Sequence, residues 1–143
     1  MEKAEKISVS DLSIGDWVCV QFPDGDKWSG RIVSSSNTGR MRVLCSNTKV
    51  VGCTIHFICP IPITAEVMEK NGWSEFSDYH NSWKLDIDSD KRVWMFKNSH
   101  DWTFQVMSWG LGHNHSVAKA YIKDIHELQH ALRLAKVGKE IVL

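Results

Sequence analysis

The segment DIHELQHAL, Asp124 to Leu132, sets His126, Glu127 and His130 at the His-Glu-x-x-His spacing with which zinc hydrolases hold their metal. On a helix, residues i and i+4 share a face, so two imidazoles can grip one zinc ion while the intervening carboxylate polarises its water. A further ligand has to come from elsewhere. The metzincin extension of the pair needs a glycine and a third histidine downstream, where this chain has Arg133 and Lys136. Only His113 or His115, in the loop WGLGHNH, could complete a site from upstream. With Ile125 at zero and roughly 100° per residue, the apolar stripe of this helix centres near 320°, and His126 and His130 fall near 100° and 140°. Both histidines are therefore expected on a solvated face with no resident metal and no cofactor. A zinc-dependent hydrolase using His126, Glu127 and His130, helped by His113 or His115, is the alternative reading.

Other residues could bind rather than react. The chain has seven tryptophans against two tyrosines, and tryptophan suits cores, stacking sites and interface hot spots alike. Trp17 and Trp28 flank the first expected turn, while Trp102 and Trp109 bound one expected strand on opposite faces. Arg31, Arg40 and Arg42 could form a basic patch beside Trp28, with Asp24 and Asp26 close by. The expected partner-binding residues are Trp17, Trp28, Arg40, Arg42, Trp102 and Trp109. Cys53, His56 and Cys59 form a sharper but incomplete metal set, lacking a fourth ligand. Cys19, Cys45, Cys53 and Cys59 have no C-x-x-C pairing and sit in or beside apolar, strand-like runs, so all four are expected as buried reduced thiols. The acids of DIDSDKR lack the glycine and terminal glutamate of an EF-hand and read as the polar side of a strand and its turn.

These residues need positioning elements, and 143 residues, 43% hydrophobic, suffice for one core or two small ones. Seventeen basic residues balance seventeen acidic ones, so no net field attracts nucleic acid or an anionic membrane, and nucleic-acid binding would need a local patch. MEKAEKISVSDL lacks the apolar core of a signal peptide, and no apolar run approaches a membrane span; a cytoplasmic location is expected. SIGDWVCVQF and the segment from Trp28 predict a hairpin around PDGD, MRVLCS alternates as a half-buried strand, and VVGCTIHFI closes the sheet with Gly52 as a candidate bulge. Residues 1–60 thus read as a small SH3-like antiparallel barrel. CPIPIT cannot be a central strand and marks a boundary. Residues 61–143 read as an α+β part: a helix at about 65–71 capped by Thr64, three or four antiparallel strands over about 83–122, and a helix at about 124–136 ending before Gly138.

Three separated blocks, DLSIGDWV, PIPITAEVMEKNGW and YIKDIHELQHALRLAKVGKEI, together resemble an uncharacterised family of small bacterial proteins of gut anaerobes, frequent among phage and conjugative-element genes. In the last block, His126, Leu128 and Gln129 match that family's pattern, whereas His130 stands where asparagine is common; the match implies for His126 a structural role, hydrogen-bonded to a turn or the sheet edge. The resemblance implies a phage or mobile-element setting and no activity. The reading that results is a non-enzymatic protein- or peptide-binding adaptor, with self-association into a homo-oligomer open. The alternatives are the hydrolase and a nucleic-acid-binding barrel centred on Arg40 and Arg42.

Overall fold

The structure, a computed structural model, describes residues 11–36, 38–45, 49–75, 81–108, 115–138 and 140–143, without the side chains of His115 and Val117. The chain divides into two compact units, Met1–Pro62 and Ile63–Leu143, with the division inside the expected CPIPIT boundary. Both are built on antiparallel sheets, and with two helices the architecture is α+β. No helix among the described residues is long and apolar enough to cross a membrane.

Unit 1 contains β1 (Trp17–Gln21), β2 (Lys27–Ser35), β3 (Arg40–Cys45), β4 (Val50–Thr54) and β5 (Ile58–Cys59), in the sheet order β4-β3-β2-β1-β5. Period-two alternation sends Val18, Val20, Ile32, Met41, Val43, Cys45 and Ile58 into one core, and this one-sided burial fixes the register. The sheet curls into a half-barrel. At one point of the curl, strands approach so closely that a Cβ on Gly30 would stand 2.6 Å from Val43 Cγ1 and 2.7 Å from the Leu44 carbonyl oxygen. Ahead of β1, the fully buried Asp16 accepts a hydrogen bond from the Ser13 amide at 2.7 Å, and its carbonyl accepts from Ile32 N at 3.0 Å. Two expectations fail here. The bulge lies in β2, between Ile32 and Ser34, whereas Gly52 pairs regularly with Arg42. VVGCTIHFI is not one strand either: a 3-10 turn over Ile55–Phe57 divides it, so that β5 can pair with β1 at the opposite edge from β4.

Unit 2 starts with α1 (Ala65–Lys70), whose N-cap Thr64 accepts a hydrogen bond from the Val67 amide at 3.3 Å. The unexpected two-residue β6 (Ser74–Glu75) follows, then β7 (Ser82–Asp86), β8 (Lys91–Lys97), β9 (Trp102–Ser108) and β10 (His115–Ile122), paired in simple succession. Trp83, Met95 and Phe104 lie opposite one another across β7, β8 and β9, as do Leu85, Val93 and Val106, and all six are buried. After β10 comes α2 (Ile125–Leu134). The segment 141–142 returns to α1: Asn71 donates through Nδ2 to the Val142 carbonyl and accepts through Oδ1 from the Val142 amide, both at 2.7 Å, while Ile141 is buried.

Both helices end in the same hydrogen-bonding pattern but with different residues. At α1, Gly72 takes φ +85°, with Trp73 N donating to Met68 O at 3.0 Å and Gly72 N to Glu69 O at 3.1 Å. At α2, Lys136 takes φ +57°, with Val137 N donating to Leu132 O at 2.9 Å and Lys136 N to Arg133 O at 3.0 Å. Each is a Schellman motif, whose left-handed residue is usually glycine. The stop expected at Gly138 therefore occurs two positions earlier, on a residue whose Cβ opposes that conformation. Lys136→Gly is expected to stabilise the protein by about 1 kcal/mol, read as a higher denaturant midpoint at unchanged m-value. A lower midpoint would refute this reading of the helix end.

Candidate functional site

The concave end of the half-barrel forms an open pocket of about 880 Å3. Each side is positioned by a local rule. Phe22 follows β1 and enters a turn preset by Pro23, in which Gly25 at φ +95° donates to the Phe22 carbonyl at 3.0 Å. The bulge at Val33 re-aims the end of β2, so Ser34, Ser35 and Ser36 form a hydroxyl-rich rim. Arg40, Met41 and Arg42 open β3 just after Gly39 (φ +81°), and Val51 to Thr54 of β4 together with Phe57 complete the wall. Trp28 stands behind the wall, its ring edge-on to Phe22 with centroids 5.0 Å apart. Val20, Phe22, Met41, Val51 and Phe57 make the lining mainly apolar. Among the described residues, neither Arg40 nor Arg42 pairs with a carboxylate. Apolar surface beside two guanidinium groups that lack carboxylate partners among the described residues suits a ligand that carries both an apolar group and an anion.

The structure thus brings Arg40 and Arg42 together at one site with Trp28 behind it. It takes Trp17 elsewhere, where the Arg31 guanidinium stacks 4.8 Å from its ring centroid. Trp102, expected as a binding residue, is instead buried at 5% exposure beneath the Lys97 ammonium, 5.0 Å from its ring, and belongs to the packing of β9. Trp109 and His113 lie outside the described residues, as does the His115 side chain. Phe22 and Phe57 were not expected at the site. Phe22 carried a signal, as the last apolar residue before Pro23, while Phe57 was hidden inside an apolar run that looked continuous.

The His-Glu-x-x-His segment occupies the first turns of α2, and its expected solvated face is a second correction. His126 is 4% exposed and Gln129 3%, so burial extends well beyond the apolar stripe at this end of the helix. His126 and His130 pack ring edge to ring face, with centroids 5.9 Å apart. The described residues that gather metal-type donor atoms within 4.8 Å are Asp124, His126 and Glu127, a set that excludes His130. Glu127 serves the helix instead, because as the third residue of α2 it reaches back past the N-cap Asp124 and accepts the Lys123 amide at 3.2 Å, tying the entering chain to the first turn. The positive end of the helix dipole also disfavours a cation there. Glu127→Ala is expected to lower stability by about 1 kcal/mol and Glu127→Gln by much less, since the amide oxygen can still accept. Urea titration of both variants checks this, and equal losses would refute this role.

The remaining clusters are structural. Asp88 Oδ1 accepts the amides of Asp90 (2.7 Å) and Lys91 (2.9 Å), and Asp86 pairs with Arg92, so DIDSDKR closes the β7–β8 turn as expected. Cys53 on β4 and Cys59 on β5 sit on opposite edge strands, and with His56 they form no metal-type group among the described residues. All four cysteines are free thiols, but only Cys45 is buried; Cys19, Cys53 and Cys59 are half-buried, which corrects the expectation of four buried thiols. Burial pushes the thiols of Cys19, Cys45 and Cys53 up, with Cys59 adding to the effect at Cys19, which makes them poor nucleophiles and metal ligands at neutral pH. Comparison with protein-family models, curated proteins and solved structures gives no match.

Proposed function

We propose that the chain is a non-enzymatic peptide-binding module, in which unit 1 is an SH3-like barrel that captures a peptide segment in its pocket. The strand order β4-β3-β2-β1-β5, with a 3-10 turn before the last strand, supports the barrel assignment. The observation that carries the function is the pair Arg40 and Arg42, lacking carboxylate partners among the described residues, on the wall of an apolar pocket. A large apolar side chain seats against Phe22, Met41 and Phe57, and an adjacent Asp, Glu or terminal carboxylate meets the arginines. The setting in phage or mobile-element biology belongs to the same proposal and rests on the three-block sequence resemblance alone. Selection of a displayed random-peptide library on the intact chain tests the reading. Enrichment of sequences pairing an aromatic or aliphatic residue with an acid supports it. No enrichment, or enriched peptides that bind a Phe57→Ala variant equally well, would sink it.

A further inference from the structure

Cys19 on β1 and Cys59 on β5 stand directly opposite one another across an antiparallel strand pair. Their neighbours Val18, Val20 and Ile58 enter the core, so strand alternation turns both thiols to the other face of the sheet, where each is half-buried. Opposed residues of an antiparallel pair have Cα atoms about 4.5–5.5 Å apart, inside the range of about 4.4–6.8 Å that a disulfide spans. The Cys59 thiol donates to Gln21 Oε1 at 3.4 Å, a hydrogen bond that keeps it over β1. Cys59 is also close enough to act on the Cys19 thiol, which burial first and then Cys59 push up, against the Lys27 ammonium. The other two cysteines face no thiol: Cys45 lies across from Gly30 and is buried in the core, and Cys53 lies across from Met41.

We propose that Cys19 and Cys59 form a reversible dithiol–disulfide site on unit 1, oxidised by a small-molecule disulfide. The Cys59 thiol, hydrogen-bonded at the surface, loses its proton and attacks one sulfur of the oxidant. The oxidant's S–S bond breaks, and its other half leaves as a thiol with that proton. Cys19 then gives up its own proton and attacks the Cys59 sulfur, which releases the second half of the oxidant as a thiol and closes the Cys19–Cys59 bond. Two protein thiols become one disulfide while one small disulfide becomes two thiols, so atoms and electrons balance. Excess thiol reverses both steps. The bond has a defined structural target, because β5 is two residues long and joins the sheet through two residue pairs with β1 alone. A covalent tie there closes most of unit 1 into one loop and pins the strand that leads into the boundary between the units. Since both cysteines are half-exposed, the bond stays open to reduction, the property of a switch and not of a permanent staple.

The proposal does not depend on the peptide pocket. Its test incubates the intact chain with oxidised glutathione, blocks remaining thiols with iodoacetamide in denaturant, and maps the digest by mass spectrometry. Expected are two of the four thiols lost to alkylation, a cross-linked peptide joining Cys19 to Cys59, and recovery of all four thiols with dithiothreitol. The oxidised chain should melt about 10 °C higher, with amide exchange at Ile58 and Cys59 slowed about ten-fold. Cys19→Ser and Cys59→Ser should each abolish that shift, and the mapping on the unsubstituted chain decides the matter even where a serine variant is less stable. Four alkylatable thiols after oxidation, a lasting mixed disulfide at Cys59 without the cross-link, a bond joining any other pair, or an oxidised chain that melts no higher overturns the proposal.

Discussion

Gly30→Ala should cost unit 1 about 3 kcal/mol, the upper end of ordinary overpacking penalties, and lower its melting temperature by roughly 10–20 °C. The added methyl would lie 2.6 Å from Val43 Cγ1, 2.7 Å from the Leu44 carbonyl oxygen and 3.0 Å from Cys45 Cα. A side-chain methyl can rotate away, but the carbonyl and Cα belong to β3, whose pairing with β2 holds them in register. Relief therefore requires the two strands to separate, and with them the curl that makes the pocket. Gly52 is the matched control. It too lies in a strand, but a Cβ there meets nothing within 4 Å, so Gly52→Ala is expected to be neutral or to stabilise by about 0.5 kcal/mol through reduced unfolded-state freedom. Circular-dichroism melts of the two variants, with amide exchange over β1–β5 to locate the loss, check the pair. Similar melting temperatures would mean that the close approach at Gly30 is not a real constraint.

The largest functional effect should come from reversing the pocket's charge. Peptides selected on the wild-type chain are expected to bind Arg40→Glu/Arg42→Glu at least thirty-fold more weakly, about 2 kcal/mol, from two lost attractions and two new repulsions. Each arginine is exposed, so a single substitution should cost less than half as much. The loss should shrink as salt rises. Lys27→Glu makes the change of charge of one arginine reversal, half that of the double variant, on β2 away from the pocket, and should alter affinity by less than two-fold. Calorimetric titration of one acidic peptide and its amide counterpart against all three chains separates charge from shape. Equal weakening by Lys27→Glu would show that only the overall field matters, and retained affinity in the double variant would remove the arginines from the site.

Strand alternation was legible in the sequence wherever one face of a strand is buried: Met41, Val43 and Cys45, or Trp83 and Leu85, announce their sides. Thr64 and the boundary at CPIPIT were legible too, because capping oxygens and prolines act locally. What could not be read depends on neighbours distant in sequence. The 3-10 turn at Ile55–Phe57 is set by the need of β5 to reach β1, and no residue within VVGCTIHFI marks the break. Burial of His126 follows from what covers the first turn of α2, which a helical wheel cannot contain. Arg40 and Arg42 were identifiable as a basic pair, but their apolar neighbour Phe22 comes from the end of β1, two strands away across the sheet, and Phe57 from the turn that breaks the apolar run.

The two hydrogen bonds between Asn71 and Val142 also order events in time. They join the first helix of unit 2 to residues 71 positions later, whereas β7 to β10 pair only with sequence neighbours. On a ribosome the hairpins of this meander can form as they emerge, each closing a short loop at low entropic cost. The contact between α1 and residue 142 cannot exist until residue 142 has emerged, and until then unit 2 carries an exposed Asn71 amide and an uncovered place for Ile141. Pulse-labelled exchange during refolding would then show the Val142 amide protected after those of β8 and β9. That interval is when this half of the chain is most open to proteases and to chaperones.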